Sequence, residues 1–220
     1  FCEDLSVTGA LFYVMGFSRG RPLFNREDTV AWVPADQRAT LAYSFIDTLA
    51  DLHVLDPDAV GLESLGKKED YIGRQIKAWY RSWESSIEFA QLDDPRAHEF
   101  KAFFLANQPA QVTASVVHGD YYLHNCLFSE GSKVSAVLDW ELATLGDPLA
   151  DLGYTLRAWP EIDDDPFLEP TAPTAVSGLP LRGELAQRYS ERTGFPVDLL
   201  DYYVGFNHWK TAAILHGVYA

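Results

Sequence analysis

The chain has 220 residues, of which 47% are hydrophobic and 14% aromatic, enough apolar side chain to bury the core of one large domain. It carries 17 basic residues against 32 acidic ones, a formal net charge of -15. Because a field of this sign repels phosphate backbones and anionic lipid, we expect neither nucleic acid nor a membrane surface as a partner. An anionic small molecule is not excluded, since a bound cation can invert the sign of a pocket.

The two cysteines, Cys2 and Cys126, are too few for a disulfide framework, which predicts two free thiols and a cytoplasmic protein. No apolar run approaches the roughly 18 residues that span a bilayer. The first residues, FCEDLSVTG, contain neither a basic region nor an apolar signal core, and they lack an initiator Met. We therefore expect the chain to be part of a longer protein.

The first half of the chain predicts one strand followed by helices. GALFYVMGF (9–17) is apolar and aromatic, which is typical of a buried strand. Asp36 is a candidate N-cap for a helix whose apolar positions lie three or four residues apart, at Leu41, Phe45, Leu49 and Leu52. A second helix carries an apolar face made of Ile72, Ile76, Trp79, Trp83 and Ile87. A third follows Asp94-Pro95 and is expected to direct three rings to the core, those of Phe100, Phe103 and Phe104.

The second half predicts short strands and then helices again. The strands are expected at 115–118, 126–128 and 134–138, with Gly131 in the turn between the last two. Asp147-Pro148 can cap and open a helix. Residues 160–180 are acidic and rich in proline, which favours a long functional loop or an ordered insertion. Helices resume at 181–193, ended by Gly194, and from Asp198 onward.

Oxygen-bearing side chains cluster in the segment SVVHGDYYLHNCLFSEGSKVSAVLDWE (115–141). Asp120 lies in a loop after the first of these strands, Asn125 lies five residues later, and Asp139 ends the third strand. A carboxylate at a strand end and an amide oxygen on a neighbouring loop can hold a hard cation such as Mg²⁺. A second acid on the loop is then free to orient or deprotonate a hydroxyl. These are recurring parts of phosphoryl transfer.

The spacing is more specific than that composition. His118-Gly119-Asp120-x-x-x-x-Asn125 matches the H-x-D-x-x-x-x-N pattern of kinase catalytic loops, and Asp139 stands fourteen residues later, where kinases have D-F-G. The chain resembles the aminoglycoside phosphotransferase/choline kinase family of small-molecule kinases. Within that family it is similar to the branch fused, in some proteins, to acyl-CoA dehydrogenases. The matching segments are FYVMGFSRGR, LADLH, HGDYYLHNCLF, AVLDWELATLGDPLADLGY and HWKTAAILHGVYA.

The resemblance implies an α+β, protein-kinase-like fold. Residues 1–20 would be the last N-lobe strand and the hinge. Residues 21–220 would be a mostly α-helical C-lobe with a small β-hairpin region, a catalytic loop at 118–125, a metal loop at 139–141 and a substrate insertion at about 160–180. The N-lobe, with its phosphate-covering loop and its lysine, is largely absent from this chain, so the fragment alone is expected to be inactive.

The resemblance also implies roles for individual residues. Asp120 would be the catalytic base or the group that orients the hydroxyl, and His118 would brace its loop. The Mg²⁺ ligands would be Asn125, Asp139 and, unless it only forms a salt bridge, Glu141. The backbone of Met15, Gly16 and Phe17 would meet the adenine of ATP, and Asp151 would brace the catalytic loop from below.

The implied function is ATP-dependent phosphorylation of a small-molecule hydroxyl, with a hydroxyacyl compound or its CoA thioester favoured over an aminoglycoside. Trp209 and Lys210 would line the acceptor pocket, although Lys210 could equally be a surface lysine. Relatives often carry Arg where this chain has Tyr122 and Glu where it has Gly16, which favours a non-catalytic kinase-like binding module as the alternative. A two-metal phosphoesterase is a third interpretation. The sequence does not distinguish a monomer from a homodimer.

Overall fold

The computed structural model describes residues 1–161 and 170–220 as a helix-rich domain with two small sheets. The helices in these ranges are α1 (Leu5–Thr8), α2 (Arg26–Trp32), α3 (Arg38–His53), α4 (Tyr71–Ala90), α5 (Pro95–Ala106), α6 (Pro148–Leu156), α7 (Arg182–Thr193) and α8 (Leu200–Tyr219). The strands are β1 (Ser115–Val117), β2 (Cys126–Phe128), β3 (Val134–Val137) and β4 (Thr144–Gly146). The long acidic loop was predicted at residues 160–180. Residues 162–169 of that loop, which include its acidic run, lie outside the described ranges.

The predicted helix at α3 is confirmed, but its predicted cap is wrong. Leu41, Phe45 and Leu49 are fully buried, as the apolar spacing predicts. Asp36 lies instead in a 3₁₀ turn, Ala35–Gln37, and α3 begins without a side-chain cap. The turn forms because the N–H of Gln37 donates to the carbonyl of Pro34 at 2.9 Å, which satisfies a backbone donor that a cap would otherwise serve.

The predicted buried strand at 9–17 is also wrong. Among the described residues, its one β-type pairing is an isolated bridge between Cys2 and Phe12. Val14 is 84% exposed and Phe17 is 91% exposed. An apolar segment becomes a buried strand only when neighbouring strands pair with it and a second layer covers it, and the described part of the chain supplies neither.

Both sheets are antiparallel pairs, and one of them joins strands far apart in sequence. β2 pairs with β3 through the predicted turn at Gly131. β1 pairs with β4, a strand that the sequence analysis did not predict, in the register Ser115 to Gly146. β4 has only three residues, too few for an alternation of apolar and polar side chains to identify it as a strand from the sequence. β4 forms because β1 offers it a partner. Glycine fits at position 146 because a Cβ there would lie 2.5 Å from the Tyr71 ring.

Helix α8 forms the centre of the helical half, packing on α4, α5 and α6. Trp83 of α4 is buried and stacks on His216 of α8, with ring centroids 3.9 Å apart. Of the three rings that were predicted to face the core from α5, only Phe104 does so, because α4 and α8 cover one strip of that helix. Phe100 and Phe103 are about half exposed and border a groove of about 700 Å³ between α5 and α8.

The remaining helix ends follow the predicted chemistry. The Asp147 carboxylate caps α6 by accepting from the N–H of Leu149 at 3.0 Å, and Gly194 ends α7 with a φ of 74°. Cys2 and Cys126 are both free thiols, as predicted. None of the helices in the described ranges is both long enough and apolar enough to cross a membrane.

Candidate active site

The loop that follows β1 turns sharply at Gly119. The φ of Gly119 is +84°, and a Cβ at this position would lie 2.9 Å from the carbonyl oxygen of Leu142. Because a side chain would suffer both from the left-handed conformation and from the close approach, glycine is the residue that fits between His118 and Asp120. The turn leaves His118 completely buried and brings Asp120 to a half-buried position.

Asp151 of α6 supports this loop from its buried side, as the resemblance implies. Its carboxylate accepts from the backbone N–H groups of His118 at 2.7 Å and Gly119 at 3.0 Å, and it lies 3.3 Å from Nε2 of His53. Burial acts to raise the pKa of Asp151, but the hydrogen bonds from His53 and from the His118 amide lower it by more, so the net shift of this pKa is downward. The loop therefore rests on an ionised, buried carboxylate.

Both carboxylate oxygens of Asp120 are hydrogen-bonded. Oδ1 accepts from the hydroxyl of Tyr154, and Oδ2 accepts from Nδ2 of Asn125 at 3.0 Å. His124 places Nε2 3.9 Å from Oδ2. Burial acts to raise the pKa of Asp120, but the nearby His124 imidazole and the hydrogen bonds from Tyr154 and Asn125 together hold it below its ordinary value. Asp120 is thus an oriented carboxylate that stays ionised at neutral pH.

The buried side chain of Asn125 is oriented by the same loop. Its Nδ2 donates to the backbone carbonyl of Asp120 at 2.9 Å as well as to the carboxylate. Both amide hydrogens are therefore engaged, and Oδ1 accepts no hydrogen bond from any residue that the structure describes. An amide oxygen fixed in this way is suited to a hard cation.

Asp139 and Glu141 follow the end of β3, beside this loop. The Leu138 N–H donates to the carbonyl of Asn125 at 2.8 Å, which ties the strand end to the loop. Asp139 has a φ of 64° and an exposed side chain, and its carboxylate forms no hydrogen bond or ion pair with the described residues. Glu141 is likewise exposed and lies in the 3₁₀ turn Trp140–Leu142, with no ion pair in the described ranges.

These side chains fit Mg²⁺ better than a two-metal centre. Within the described ranges, no group of three or more His, Cys, Asp or Glu side chains is arranged to hold a metal ion. Mg²⁺ usually keeps several waters and binds through one or two carboxylates plus substrate phosphates. The Asp139 carboxylate and the Asn125 amide oxygen, neither of which has a partner among the described residues, supply that number of protein ligands.

His118 has a bracing geometry. Its Nε2–H donates to the carbonyl of Leu138 at 2.8 Å, and its Nδ1 accepts from the N–H of Asp120 at 3.3 Å. The ring also lies against Trp140, with centroids 4.8 Å apart. Both ring nitrogens are thus engaged, so His118 links the loop that carries Asp120 to the strand end that carries Asp139.

The expected hinge is exposed and lies outside any helix or strand. Met15 is 63% exposed, and residues 13–20 form no helix or strand. The segment is attached to the sheet immediately after it, because Arg21 and Phe128 exchange backbone hydrogen bonds of 3.0 and 2.9 Å. Its role in holding adenine stays a prediction.

Three residues near Asp120 were missed or left open by the sequence analysis. Tyr154 and Arg157 belong to α6 and its end, and Lys210 belongs to α8. Lys210 is 8% exposed rather than a surface residue, burial lowers its pKa, and its Nζ lies 3.4 Å from the carbonyl of Gly119. Trp209 instead faces α5, donating to the carbonyl of Ala97 at 3.1 Å. The spacing of Tyr154 three residues after Asp151 could have identified it, because residues i and i+3 lie on the same face of a helix and Asp151 was already expected to face the loop.

Known proteins match this chain over nearly all of its length. Mouse acyl-CoA dehydrogenase family member 10 is 33% identical over 225 residues, which are 99% of this chain and 20% of that protein. Chicken acyl-CoA dehydrogenase family member 11 is 34% identical over 233 residues, covering 100% of this chain and 28% of that protein. The chain thus spans a quarter or so of these curated relatives, and the resemblance to the branch fused to acyl-CoA dehydrogenases is confirmed.

Solved structures show the same fold. A Ralstonia eutropha protein assigned as an aminoglycoside phosphotransferase superposes with a TM-score of 0.80 at 30% identity, covering 99% of this chain and 66% of that one. Choline kinase from Cryptosporidium parvum superposes with a TM-score of 0.62 at 13% identity, covering 92% and 63%. The predicted α+β, protein-kinase-like fold is therefore confirmed. The model of the phosphotransferase enzyme family matches residues 1–180, and the chain belongs to that family.

Proposed function

We propose that this chain carries the catalytic half of an ATP-dependent phosphotransferase that acts on a hydroxyl group of a small molecule. The observation that supports it most is the state of Asp120, an ionised carboxylate held by Asn125 and Tyr154 on a loop braced by Asp151. Phosphoryl transfer passes through a loose transition state, so positioning and charge stabilisation contribute most of the catalysis. Asp120 accepts a hydrogen bond from the acceptor hydroxyl and aims its oxygen at the phosphorus.

Asn125 and Asp139, assisted by Glu141, would hold Mg²⁺ against the phosphates of ATP. The ion would neutralise charge that develops on the phosphates. His118 keeps the two ligand-bearing segments in register by donating to the carbonyl of Leu138 while accepting from the loop. The exposed backbone of Met15, Gly16 and Phe17 would hold the adenine.

Positive charge near Asp120 comes from residues other than the arginine that Tyr122 replaces. The Arg157 guanidinium lies 5.3 Å from the ring centroid of Tyr122, and Lys210 reaches the loop from α8. His124 adds a third group that can carry charge, 3.9 Å from Asp120. In a chain whose net charge is -15, this local concentration of cations favours an acceptor or a transition state that is negatively charged.

For the acceptor we propose a hydroxyacyl compound or its CoA thioester. The support is the whole-chain similarity to proteins named as acyl-CoA dehydrogenase family members. An acyl-CoA dehydrogenase acts on the carbon chain of such a compound, so in those relatives a shared substrate would explain a kinase-like segment in the same protein. We further propose a cytoplasmic location and leave the choice between monomer and homodimer to a mass measurement.

The test uses the complete protein that contains this chain. ATP consumption is measured with Mg²⁺ and a panel of hydroxy acids, hydroxyacyl-CoA thioesters and aminoglycosides, for the wild type and for Asp120→Asn. We expect a loss of at least about 100-fold in kcat for Asp120→Asn, the order that a positioned acid–base group contributes. The matched control, Asp198→Asn, alters an exposed aspartate outside the site and should leave the rate unchanged. Equal rates for both variants would remove Asp120 from the mechanism.

A binding measurement separates the enzyme from a non-catalytic module. Asp139→Asn should weaken Mg²⁺-dependent ATP binding measured by calorimetry, because it removes a charged ligand whose carboxylate has no partner among the described residues. Tight ATP binding by the wild type without transfer to any acceptor would support the binding module, which the tyrosine at position 122 favours. Unchanged affinity in Asp139→Asn would contradict the metal role.

A further inference from the structure

Helix α6 holds the catalytic loop along its length. Asp151 accepts from the backbone of His118 and Gly119, and Thr155 donates from Oγ1 to the carbonyl of Tyr121 at 2.9 Å. Between these two contacts, the hydroxyl of Tyr154 donates to Oδ1 of Asp120. The same helix therefore supports the backbone of residues 118–121 and also contacts the reactive side chain.

Tyr154 is itself held by two cations. The guanidinium of Arg157 lies 3.7 Å from the centroid of its ring, and Nζ of Lys210 lies 4.9 Å from that centroid. Arg157 also donates from Nη1 to the backbone carbonyl of Tyr154. Cation–π contacts of this kind restrict the ring. Burial raises the pKa of Tyr154, so its hydroxyl keeps its proton and acts as a donor.

We propose that Tyr154 is a positioning residue for phosphoryl transfer, fixing the rotation of the Asp120 carboxylate together with Asn125. The terminal torsion of an aspartate is broad and roughly two-fold, so a single donor leaves the carboxylate free to rock. Two donors from different elements, one on each oxygen, remove that freedom. Each oxygen retains lone-pair capacity for the acceptor hydroxyl, because an ionised carboxylate has about four acceptor sites.

This role depends on the proposed function, since positioning matters only if Asp120 orients an acceptor. It also differs from ordinary structural support. Thr155 and Asp151 contact only backbone atoms of the loop, whereas Tyr154 contacts the carboxylate. Loss of the Tyr154 hydroxyl should therefore change the rate of transfer far more than it changes the loop.

The experiment compares Tyr154→Phe with Tyr202→Phe in the complete protein. Tyr202 is a matched control, because it is also half-buried and also donates one hydrogen bond, to the carbonyl of Phe104 at 2.7 Å, away from the catalytic loop. We expect Tyr154→Phe to lower kcat about tenfold, the rate equivalent of one hydrogen bond to a charged group. KM for ATP should not change, since the hydroxyl touches no proposed nucleotide ligand, and Tyr202→Phe should leave both constants unchanged.

A double-mutant cycle shows whether Tyr154 acts through Asp120. In an Asp120→Asn background, Tyr154→Phe should have less than a twofold further effect on kcat, because the group it positions is already lost. The same cycle followed by urea unfolding measures the interaction between the two side chains, and additive losses of stability there would overturn the role even if the Asn background is too slow to assay. A tenfold effect that persists in that background, or no effect in either, overturns the positioning role. An inactive wild type would instead overturn the proposed function.

Discussion

Asp151→Asn is expected to destabilise the protein by about 3 kcal/mol at neutral pH. The carboxylate accepts from His118 N–H at 2.7 Å and Gly119 N–H at 3.0 Å, and hydrogen bonds to charged groups contribute about 1.5–3 kcal/mol each. Asparagine keeps one acceptor oxygen but turns an NH₂ group toward the second donor. The variant therefore loses one such bond and leaves a buried donor unpaired. For a domain of this size, we expect Tm to fall by about 6–12 °C.

The pH dependence gives this prediction a sign. The pKa of Asp151 is lowered on folding, so its contribution is present above the ordinary aspartate value and is lost as the pH falls through the folded value. The difference in the free energy of unfolding between wild type and Asp151→Asn should therefore become smaller below about pH 4. Asp147, four residues earlier, differs, because burial raises its pKa and its contribution is instead lost as the pH rises above the ordinary value.

Asp147→Asn is the matched control for this measurement. Asparagine resembles the neutral form of the carboxyl and caps helices about as well as aspartate, so the variant should lose less than about 1 kcal/mol at neutral pH. Urea unfolding followed by circular dichroism, at about pH 7 and about pH 3, measures both differences. Equal losses for the two variants, or a gap for Asp151→Asn that does not narrow in acid, would refute the assignment of an ionised brace beneath the loop.

Gly119→Ala should cost at least about 1–2 kcal/mol in urea unfolding, because it combines a left-handed φ with a Cβ 2.9 Å from a carbonyl oxygen. Gly131→Ala, in an open turn, is the control, and similar losses for the two would contradict the reasoning. Lys210→Met keeps the apolar stem but removes a buried cation whose pKa is lowered by burial, so the free energy of unfolding should stay within about 1 kcal/mol of wild type or rise. Transfer should slow, and a large loss of stability would show that the charge is structural.

The chemistry proposed for the site follows from short-range spacing. The spacing of His118, Asp120 and Asn125 is a local property of one loop, so the sequence alone predicted that these residues share a task. The helices were predictable for the same reason, since an apolar repeat of three or four residues needs only the helix itself. The cap of α6 at Asp147 likewise depends on bonds within one turn.

Errors arose where the outcome depended on a distant partner. The strand expected at 9–17 is exposed, because no neighbouring strand in the described chain pairs with it. Phe103 points outward although its helix was predicted correctly, since the packing of α4 and α8 decides which strip of α5 is covered. β4 was missed because its partner, β1, precedes it by almost thirty residues.

The sequence by itself determined which residues could perform phosphoryl transfer, because that chemistry depends on residue type and on spacing within a loop. Asn125, in the same loop, holds one oxygen of the Asp120 carboxylate, but tertiary structure decided which other groups reach Asp120 and its loop. Tyr154 and Lys210 come from two helices that lie 34 and about 90 residues further along the chain. Hydrogen bonds and cation–π contacts act over a few ångströms of space without regard to chain separation, so only the packing of α6 and α8 could bring these groups to the loop.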